Sequence, residues 1–464
     1  MANGFGFSGA DKAVLALCPD HAYNFSMNTY LLKNCDIANF DALACARKDI
    51  LIRDGRIVQI ADSITPQDEV TQIDAAGKLA LPGFTDAHTH LNQTFLKGYM
   101  DDYPITEWLI RMFTICDAMD EETHYYSVLV GCLSALRFGT TTVNEMVNNR
   151  RVDSVVQAVK DAGIRATVGI GHTDVAENEK TPVRSVDQCL QDAKSLFARY
   201  HNTLGGMLRA SVAPLGLPAC SKELVQTLKR YANENGLIYH THLAEGKKET
   251  EGVLARTGMR EGEALFNYGI LDENTLLAHS IWLEDYELEL IARAGANPVH
   301  CPNTNLKISD GIPKIQQMLD LGINVCLGCD GEASSSTRDM IREARLAAYL
   351  QKGVTLNPKA LNLSQSYKMM TENGARALGY KDLGKIETGY QADLILVDLS
   401  KDISTTNQNT RLSNLLYAGC GHAVDTVFAG GELIISGGEN QRLNIAKVLE
   451  RAEELLEKLH REIT

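Results

Sequence analysis

The chain has 464 residues, 44% of them apolar and 22% charged, with a formal net charge of -14. Such a composition belongs to a globular protein with a sizeable core, and the acidic balance argues against a nucleic-acid or anionic-membrane surface, which needs clustered Lys and Arg. No run approaches the ~20 apolar residues that span a bilayer, and the opening MANGFGFSGADKAV lacks a basic segment followed by a long apolar one, so no secretory leader is expected. Eleven cysteines show no disulfide framework. Cys116, Cys132, Cys326 and Cys329 lie in apolar runs and are expected to pack as small reduced hydrophobes. The expectation is a soluble, cytoplasmic protein.

In chain order, the first ~28 residues carry no local pattern that places them. Residues 30–34, 49–53 and 56–60 then read as short strands, with Asp54-Gly55 as a hairpin turn. From residue 84 to residue 351 short apolar strands alternate with longer amphipathic stretches. Strands are expected at 84–90, 140–144, 165–171, 209–214, 237–242, 275–279, 296–300 and 324–330, and helices at 152–162, 189–200, 222–235 and 286–294. This alternation predicts an α/β fold, a (β/α)8 TIM-like barrel, whose sites form at the C-terminal strand ends. Beyond it, 392–398, 424–429 and 434–436 are strand-like, Gly430-Gly431 reads as a turn, and 441–460 repeats apolar positions at helical spacing. The expected organisation is a catalytic barrel over 80–383 and a small composite β-sandwich, with a terminal helix, over 1–79 and 384–464.

Residues 81–90 read LPGFTDAHTH. On a strand, residues i and i+2 face the same way, so His88 and His90 can both point at one metal ion where the strand ends. His-x-His alone is a weak signal. It gains weight from His242 and Glu245 in HTHLAE, His279 in LLAHS and Asp330 in VCLGCDG, each closing an apolar run. Imidazole nitrogens with a carboxylate oxygen suit Zn2+ and also Fe2+. His240 shares a strand face with His242 and competes as ligand; His242 is preferred because it places Glu245 one short turn away. Glu245 is the candidate proton shuttle, its bland alternative a solvated loop acid before Lys247 and Lys248. His279 orients water or substrate, or is a buried structural histidine. Asp330, in an apolar setting, would be an uncompensated buried charge without a cation. No lysine occupies RASVAP at 209–214, where a modified lysine would bridge two metals, so a single metal is expected.

These residues in this order resemble the amidohydrolase superfamily, specifically its deaminase branch. The likeness runs from LPGFTDAHTH through HTHLAE, AHS, HCPNTNLKISDGI and LGCDGEAS to GYQADLILVD. It implies that His88, His90, His242 and Asp330 bind the metal, that Glu245, His279 and Asp330 act in catalysis, and that the fold is a barrel with a composite β-sandwich. Members of this branch deaminate guanine, 8-oxoguanine, pterins, methylthioadenosine and S-adenosylhomocysteine, others act on triazines, and relatives commonly form homo-oligomers. Gln93 stands where the base and pterin deaminases carry a glutamine resembling a base-reading amide, though it can equally serve as a helix-start hydrogen bonder. In the adenosine-derivative enzymes a histidine follows strand four in a PHSP-like sequence; here APLGLP puts Leu215 there, against a sugar contact. Trp108 is a candidate pocket wall or a core aromatic, and Asn303 and Asn305 either bind substrate or fix a turn. Arg338, Glu332 and His172 are further candidates for the mouth. The implied reaction is hydrolytic deamination of an amino-substituted N-heterocycle such as a purine base, a pterin or a triazine. Deamination of methylthioadenosine or S-adenosylhomocysteine, and removal of chloride or alkylamine from a triazine, are the rivals.

Overall fold

The computed structural model describes residues 28–148, 151–405 and 408–463; the opening segment that the sequence left without an element falls almost wholly outside them. The chain enters through five strands, β1 (Tyr30–Asn39), β2 (Ala44–Arg53), β3 (Arg56–Ala61), β4 (Thr71–Asp74) and β5 (Leu79–Pro82). Between β2 and β3, Asp54 and Gly55 both have positive φ, 51° and 76°, as a type I′ hairpin turn requires. Arg53 is thereby kept opposite Arg56.

Nine short strands follow, separated mostly by helices: β6 (Phe84–Thr89), β7 (Thr140–Val147), β8 (Arg165–His172), β9 (Leu208–Ala210), β10 (Ala213–Pro214), β11 (Tyr239–Leu243), β12 (Thr275–His279), β13 (Asn297–His300) and β14 (Cys326–Leu327). They pair in parallel in two sheets, β6 to β10 and β11 to β14. Both edges of the two sheets meet. On one side Val212 bridges Tyr239 in parallel; on the other the Asp330 amide donates to the His88 carbonyl at 2.9 Å. The result is a mixed α/β fold of parallel strands. Helices Val152–Ala162 and Lys222–Asn235 fall at the predicted bounds. Each runs into a glycine in the left-handed conformation, Gly163 and Gly236, which stops it.

Two expected strands come out differently. The run at 209–214 is divided into β9 and β10, and the Ser211 amide donates to the Val168 carbonyl in the gap. Expected strand 324–330 contracts to Cys326–Leu327 because the chain changes partner there: Gly328 N bonds His300 O, and two residues later Asp330 N bonds His88 O. Gly328 makes the crossing possible, since a Cβ on it would lie 2.9 Å from the His88 carbonyl.

The chain end returns to the first sheet through β15 (Leu394–Val397), β16 (Val424–Ala429), β17 (Glu432–Ser436) and β18 (Glu439–Asn440). With β5 paired to both β1 and β15, strands from both chain ends form one nine-stranded sheet. Alternation divides its faces. Leu394 and Leu396 join Leu32, Ile50, Ile52 and Phe428 in a core of the sheet's own, while Ile395 and Val397 face the large central core. Arg165 at the start of β8 ties the sheet down with two bonds to Asp393, 3.2 and 2.8 Å, both side chains 1% exposed. The terminal helix Ile445–Ile463 buries Val448, Ala452, Leu455 and Leu459. It packs on helix Glu121–Arg137 of the central segment, where Arg451 meets Glu122 at 2.8 Å. Cys326 and Cys329 are free, the first facing Asn373 O and the second Met340 Sδ. Among the described residues no helix is long and apolar enough to cross a membrane.

Candidate active site and metal centre

Parallel strands deliver their last residues to one end of the sheet, and the chemistry-bearing side chains gather there. His88 belongs to β6 and His90 directly follows it; His242 lies in β11, His279 ends β12, and Asp330 comes three residues after β14. The backbone turns sharply to reach these positions: φ is +69° at His279, +61° at Asp330 and +48° at Ala244. Each left-handed non-glycine residue costs on the order of 1 kcal/mol, so surrounding contacts must hold it.

The geometry is that of a donor cluster. His88 Nε2 and His90 Nε2 each stand 3.4 Å from Asp330 Oδ1. Donor atoms of His88, His90 and Asp330 lie within 4.8 Å of one another, as do those of His88, His242 and His279, and of Glu245, His279 and Asp330. The rings are anchored from behind. His90 Nδ1 is 2.7 Å from the Met146 carbonyl and His242 Nδ1 is 2.6 Å from that of Leu215. Only an N–H can bond a carbonyl, so both Nε2 atoms carry lone pairs turned inward, the arrangement that metal-ligating histidines show. His88 Nδ1 meets His240 Nε2 at 2.9 Å, and His88 Nε2 is buried with no hydrogen bond of its own. His240 therefore stands behind His88 rather than in the cluster.

Burial pushes the imidazoles of His88, His90 and His242 toward the neutral form, His90 down to about 4. Neutral imidazoles are the form that ligates metal. A carboxylate 5% exposed among them lacks compensating charge, and a divalent cation would supply it. The orphaned His88 nitrogen, the inward lone pairs and the Asp330 carboxylate together fit such an ion.

A second pair borders the first. Glu245 Oε1 is 3.4 Å from His279 Nε2. His279 Nδ1 donates to Asn305 Oδ1 at 2.9 Å, which leaves Nε2 for the site. Burial raises the Glu245 carboxyl above its ordinary range, as do the Asp330 and Glu249 charges, against the opposing pull of His279. Burial, then the charges of Glu245, Glu249 and Asp330, pushes the carboxyl of Asp310, a residue absent from the sequence-based candidates, up to about 9.

The site opens into a cavity of about 840 Å³, counting its mouth. His90, His242, Glu245, His279 and Asp330 line its floor, and Ile105, Leu109, Met112, Phe113 and Leu215 its apolar walls. Gln93 and Trp108 both line it, with Gln93 Oε1 and Trp108 Nε1 buried and unbonded. Asn305, expected at the substrate, stands instead behind His279 and outside the lining. Asn303 bonds Glu343 at 2.6 Å. Arg338 and Glu332, expected at the mouth, are buried beneath it: Arg338 donates to the backbone carbonyls of Asp330 and His90 and to Glu332. His172 is likewise not in the lining; its carbonyl accepts from Leu215 N at 2.9 Å.

A model of the amidohydrolase family matches residues 79–434, which include every one of these site residues. The chain belongs to the amidohydrolase family. This amidohydrolase is 34% identical over 429 residues to a 5-methylthioadenosine/S-adenosylhomocysteine deaminase of Pyrococcus furiosus, covering 92% of this chain and all of that protein. It is 33% identical to a 5′-deoxyadenosine deaminase of Methanothermobacter thermautotrophicus, with 89% and 95% covered. Among solved structures, a zinc-bound adenosine deaminase from Xanthomonas campestris shares 27% identity at a TM-score of 0.85, covering 93% of this chain and 98% of that one. A zinc complex of atrazine chlorohydrolase from Arthrobacter aurescens superposes at a TM-score of 0.87 with 23% identity, covering 92% of this chain and 100% of that one, a likeness of fold.

Two features of the amidohydrolase site escaped the reading of its sequence. Asp310 lies in a loop with neither strand nor helix period. Glu177 reaches the cavity from the segment after β8, where burial, then Glu249 and Glu245, push it up to about 7. Neither carries a local signal, because their meeting is made by the packing of loops distant in sequence.

Proposed function

We propose that the chain is a metal-dependent hydrolytic deaminase that releases ammonia from an amino-substituted N-heterocycle. The observation that carries this reading is the juxtaposition of two sets: His88, His90, His242 and Asp330 converging, with Glu245 and His279 paired at 3.4 Å beside them. The four-residue set is assigned to one divalent ion, zinc by donor type and by the zinc-bound adenosine deaminase relative, with iron acceptable. When bound, the ion supplies Lewis acidity that makes water a nucleophile near neutral pH. Asp330 and His279 take up the proton that water gives away. Glu245, kept protonated by its enclosed position, donates to the ring nitrogen next to the amino-bearing carbon, and a proton is then returned to the departing amine. Ammonia leaves only with added protons and chloride needs none, so this proton-handling pair favours deamination over dechlorination. The two parallel sheets, joined at both edges, are read as one (β/α)8 barrel over 80–383. The nine-stranded sheet with its own core is read as the composite β-sandwich of 1–79 and 384–464.

The substrate reading follows the relatives, whose names are those of aminopurine nucleosides altered at the 5′ end. An apolar wall that includes Leu215 suits a 5′ group without a hydroxyl. One observation favours a free base or triazine instead: Leu215 offers no polar contact to a sugar, while the unbonded Gln93 amide oxygen could read a base edge. Ammonia release measured over 5′-deoxyadenosine, methylthioadenosine, S-adenosylhomocysteine, adenine, guanine, a pterin and an aminotriazine separates them. The nucleosides are expected to turn over fastest. Faster turnover of the free bases selects the second reading, and chloride release from a chlorotriazine without ammonia from any of the panel rejects both. Glu245→Gln is expected to lower turnover by about 10²–10⁴-fold with metal retained.

A further inference from the structure

The two parallel sheets meet where β6 runs beside the chain that follows β14, and one guanidinium lies in that seam. Arg338 stands between the short helix Glu332–Ser335 and the helix Met340–Thr355, its side chain fully buried. Its Nη1 donates to the Asp330 carbonyl at 2.9 Å and its Nη2 to the His90 carbonyl at 3.2 Å. Nη1 also donates to Thr89 Oγ1, which itself donates to the Asp330 carbonyl at 3.2 Å. The fork thus spans two donor-bearing residues that follow strands of different sheets. Counter-charges hold it in turn. Arg338 Nε bonds Glu332 Oε2 at 3.3 Å, and Asp86 Oδ2 lies 3.9 Å from Nη1, both carboxylates 1% exposed. Asp86, on β6, also accepts from Cys329 N at 2.9 Å, which ties down the residue before Asp330. Lys97 reaches Glu332 at 2.6 Å. Arg338, Glu332 and Asp86 all lie outside the cavity lining, so this network serves the frame of the site.

We infer that Arg338 is a positioning residue for the metal centre: its fork, bridging the His90 and Asp330 carbonyls, fixes the separation of these two donors before an ion binds. This rests on the assignment of His88, His90, His242 and Asp330 to one divalent ion. Asp330 needs the support, because its backbone is held at φ +61°, a conformation that persists only where surrounding contacts impose it. The His90–Leu91 peptide is gripped at both ends: Arg338 takes its carbonyl, and its amide, Leu91 N, donates to Glu145 Oε2 at 2.8 Å. Planar geometry makes the residue type matter. A guanidinium offers several donors at fixed spacing, whereas an ammonium is a single point on a flexible stem. A site held in shape beforehand does not have to be ordered when the metal arrives, and groups that orient metal ligands in this way contribute to affinity without touching the ion.

The test measures zinc affinity, by competition with a chromophoric chelator, and the Tm of the metal-free protein. It compares wild type with Arg338→Lys, Arg338→Met/Glu332→Gln, Arg165→Lys and His242→Ala. Arg338→Lys keeps the charge and loses the fork, and its zinc affinity is expected to fall by about 10- to 100-fold. The double variant removes two opposite buried charges together and keeps their bulk, so it carries the test if the single variant does not fold; the same loss is expected of it. Arg165→Lys loosens an equally buried pair, with Asp393, away from the site. It is expected to lower Tm and leave zinc affinity unchanged, which separates positioning of the donors from general stability. The inference is overturned if either Arg338 variant holds zinc as tightly as wild type, or if Arg165→Lys loses zinc affinity to the same degree. Wild-type affinity in His242→Ala would instead remove the metal assignment beneath it, and this inference with it.

Discussion

Glu145 shows how a single buried acid ties stability to pH. It sits on β7 with its Oε2 accepting from Leu91 N at 2.8 Å and its Oε1 without a partner. Burial lifts its pKa from an ordinary 4.5 to about 8, against the lowering effect of the Leu91 bond and of Arg338. The folded state therefore binds this proton more tightly than the unfolded chain. Its contribution to stability is complete below about 4.5 and is lost as pH rises through about 8. Calorimetric Tm is expected to fall as pH is raised across that window, and Glu145→Gln, which stays neutral, to flatten the decline. A profile of unchanged slope in the variant would show that Glu145 is not the source. Glu343, lifted to about 8, acts with the same sign, so the slope should lessen rather than vanish.

Among the elements, the link between β8 and β15 bears most on how the two parts of the chain are joined. Arg165 and Asp393 make two hydrogen bonds at 1% exposure, and Asp393 also accepts from Gly430 N in the β16–β17 turn. Removing one partner strands the other as a buried charge, at a cost of about 3–5 kcal/mol. Asp393→Ala should therefore shift the urea midpoint far more than Arg451→Ala, which breaks the half-exposed pair with Glu122 on the terminal helix. Equal shifts would mean that the buried pair is not what holds the sheet. The packing of the nine-stranded sheet has one point with no room for a side chain: a Cβ on Gly431 would fall 2.3 Å from Gly55 Cα, where the turns of two hairpins abut.

At the scale of the whole molecule, the cluster draws residues from both parallel sheets, so an ion held there would cross-link elements more than two hundred residues apart. An ion bound to the folded state alone stabilises it by mass action. Treatment with a strong chelator is expected to abolish ammonia release and lower Tm, both recovering on addition of zinc. His242→Ala should reproduce the loss, bind substoichiometric metal and recover little. Chelation without effect on either readout would remove the ion from the proposal. Much of this site was legible in the chain. His88 and His90 share a strand face, and His242, His279 and Asp330 each close an apolar run, so strand period and strand ends alone brought them forward. Asn305 was found but misplaced, because sequence does not say on which side of His279 it stands. Asp310 and Glu177 were not found, since loops have no period to read.

Local patterning by itself determined the succession of strands and helices, the hairpin turns at Asp54-Gly55 and Gly430-Gly431, and the donors at strand ends, because these depend on neighbours within a few residues. Tertiary structure alone decided that His240 backs His88, that Arg338 bonds the backbone carbonyls of His90 and Asp330 instead of facing the cavity, and that the last strand shortens as its chain crosses to β6. Each is a contact between segments far apart in sequence, set by how helices and loops pack over the sheet, and no periodicity in one segment encodes its distance from another.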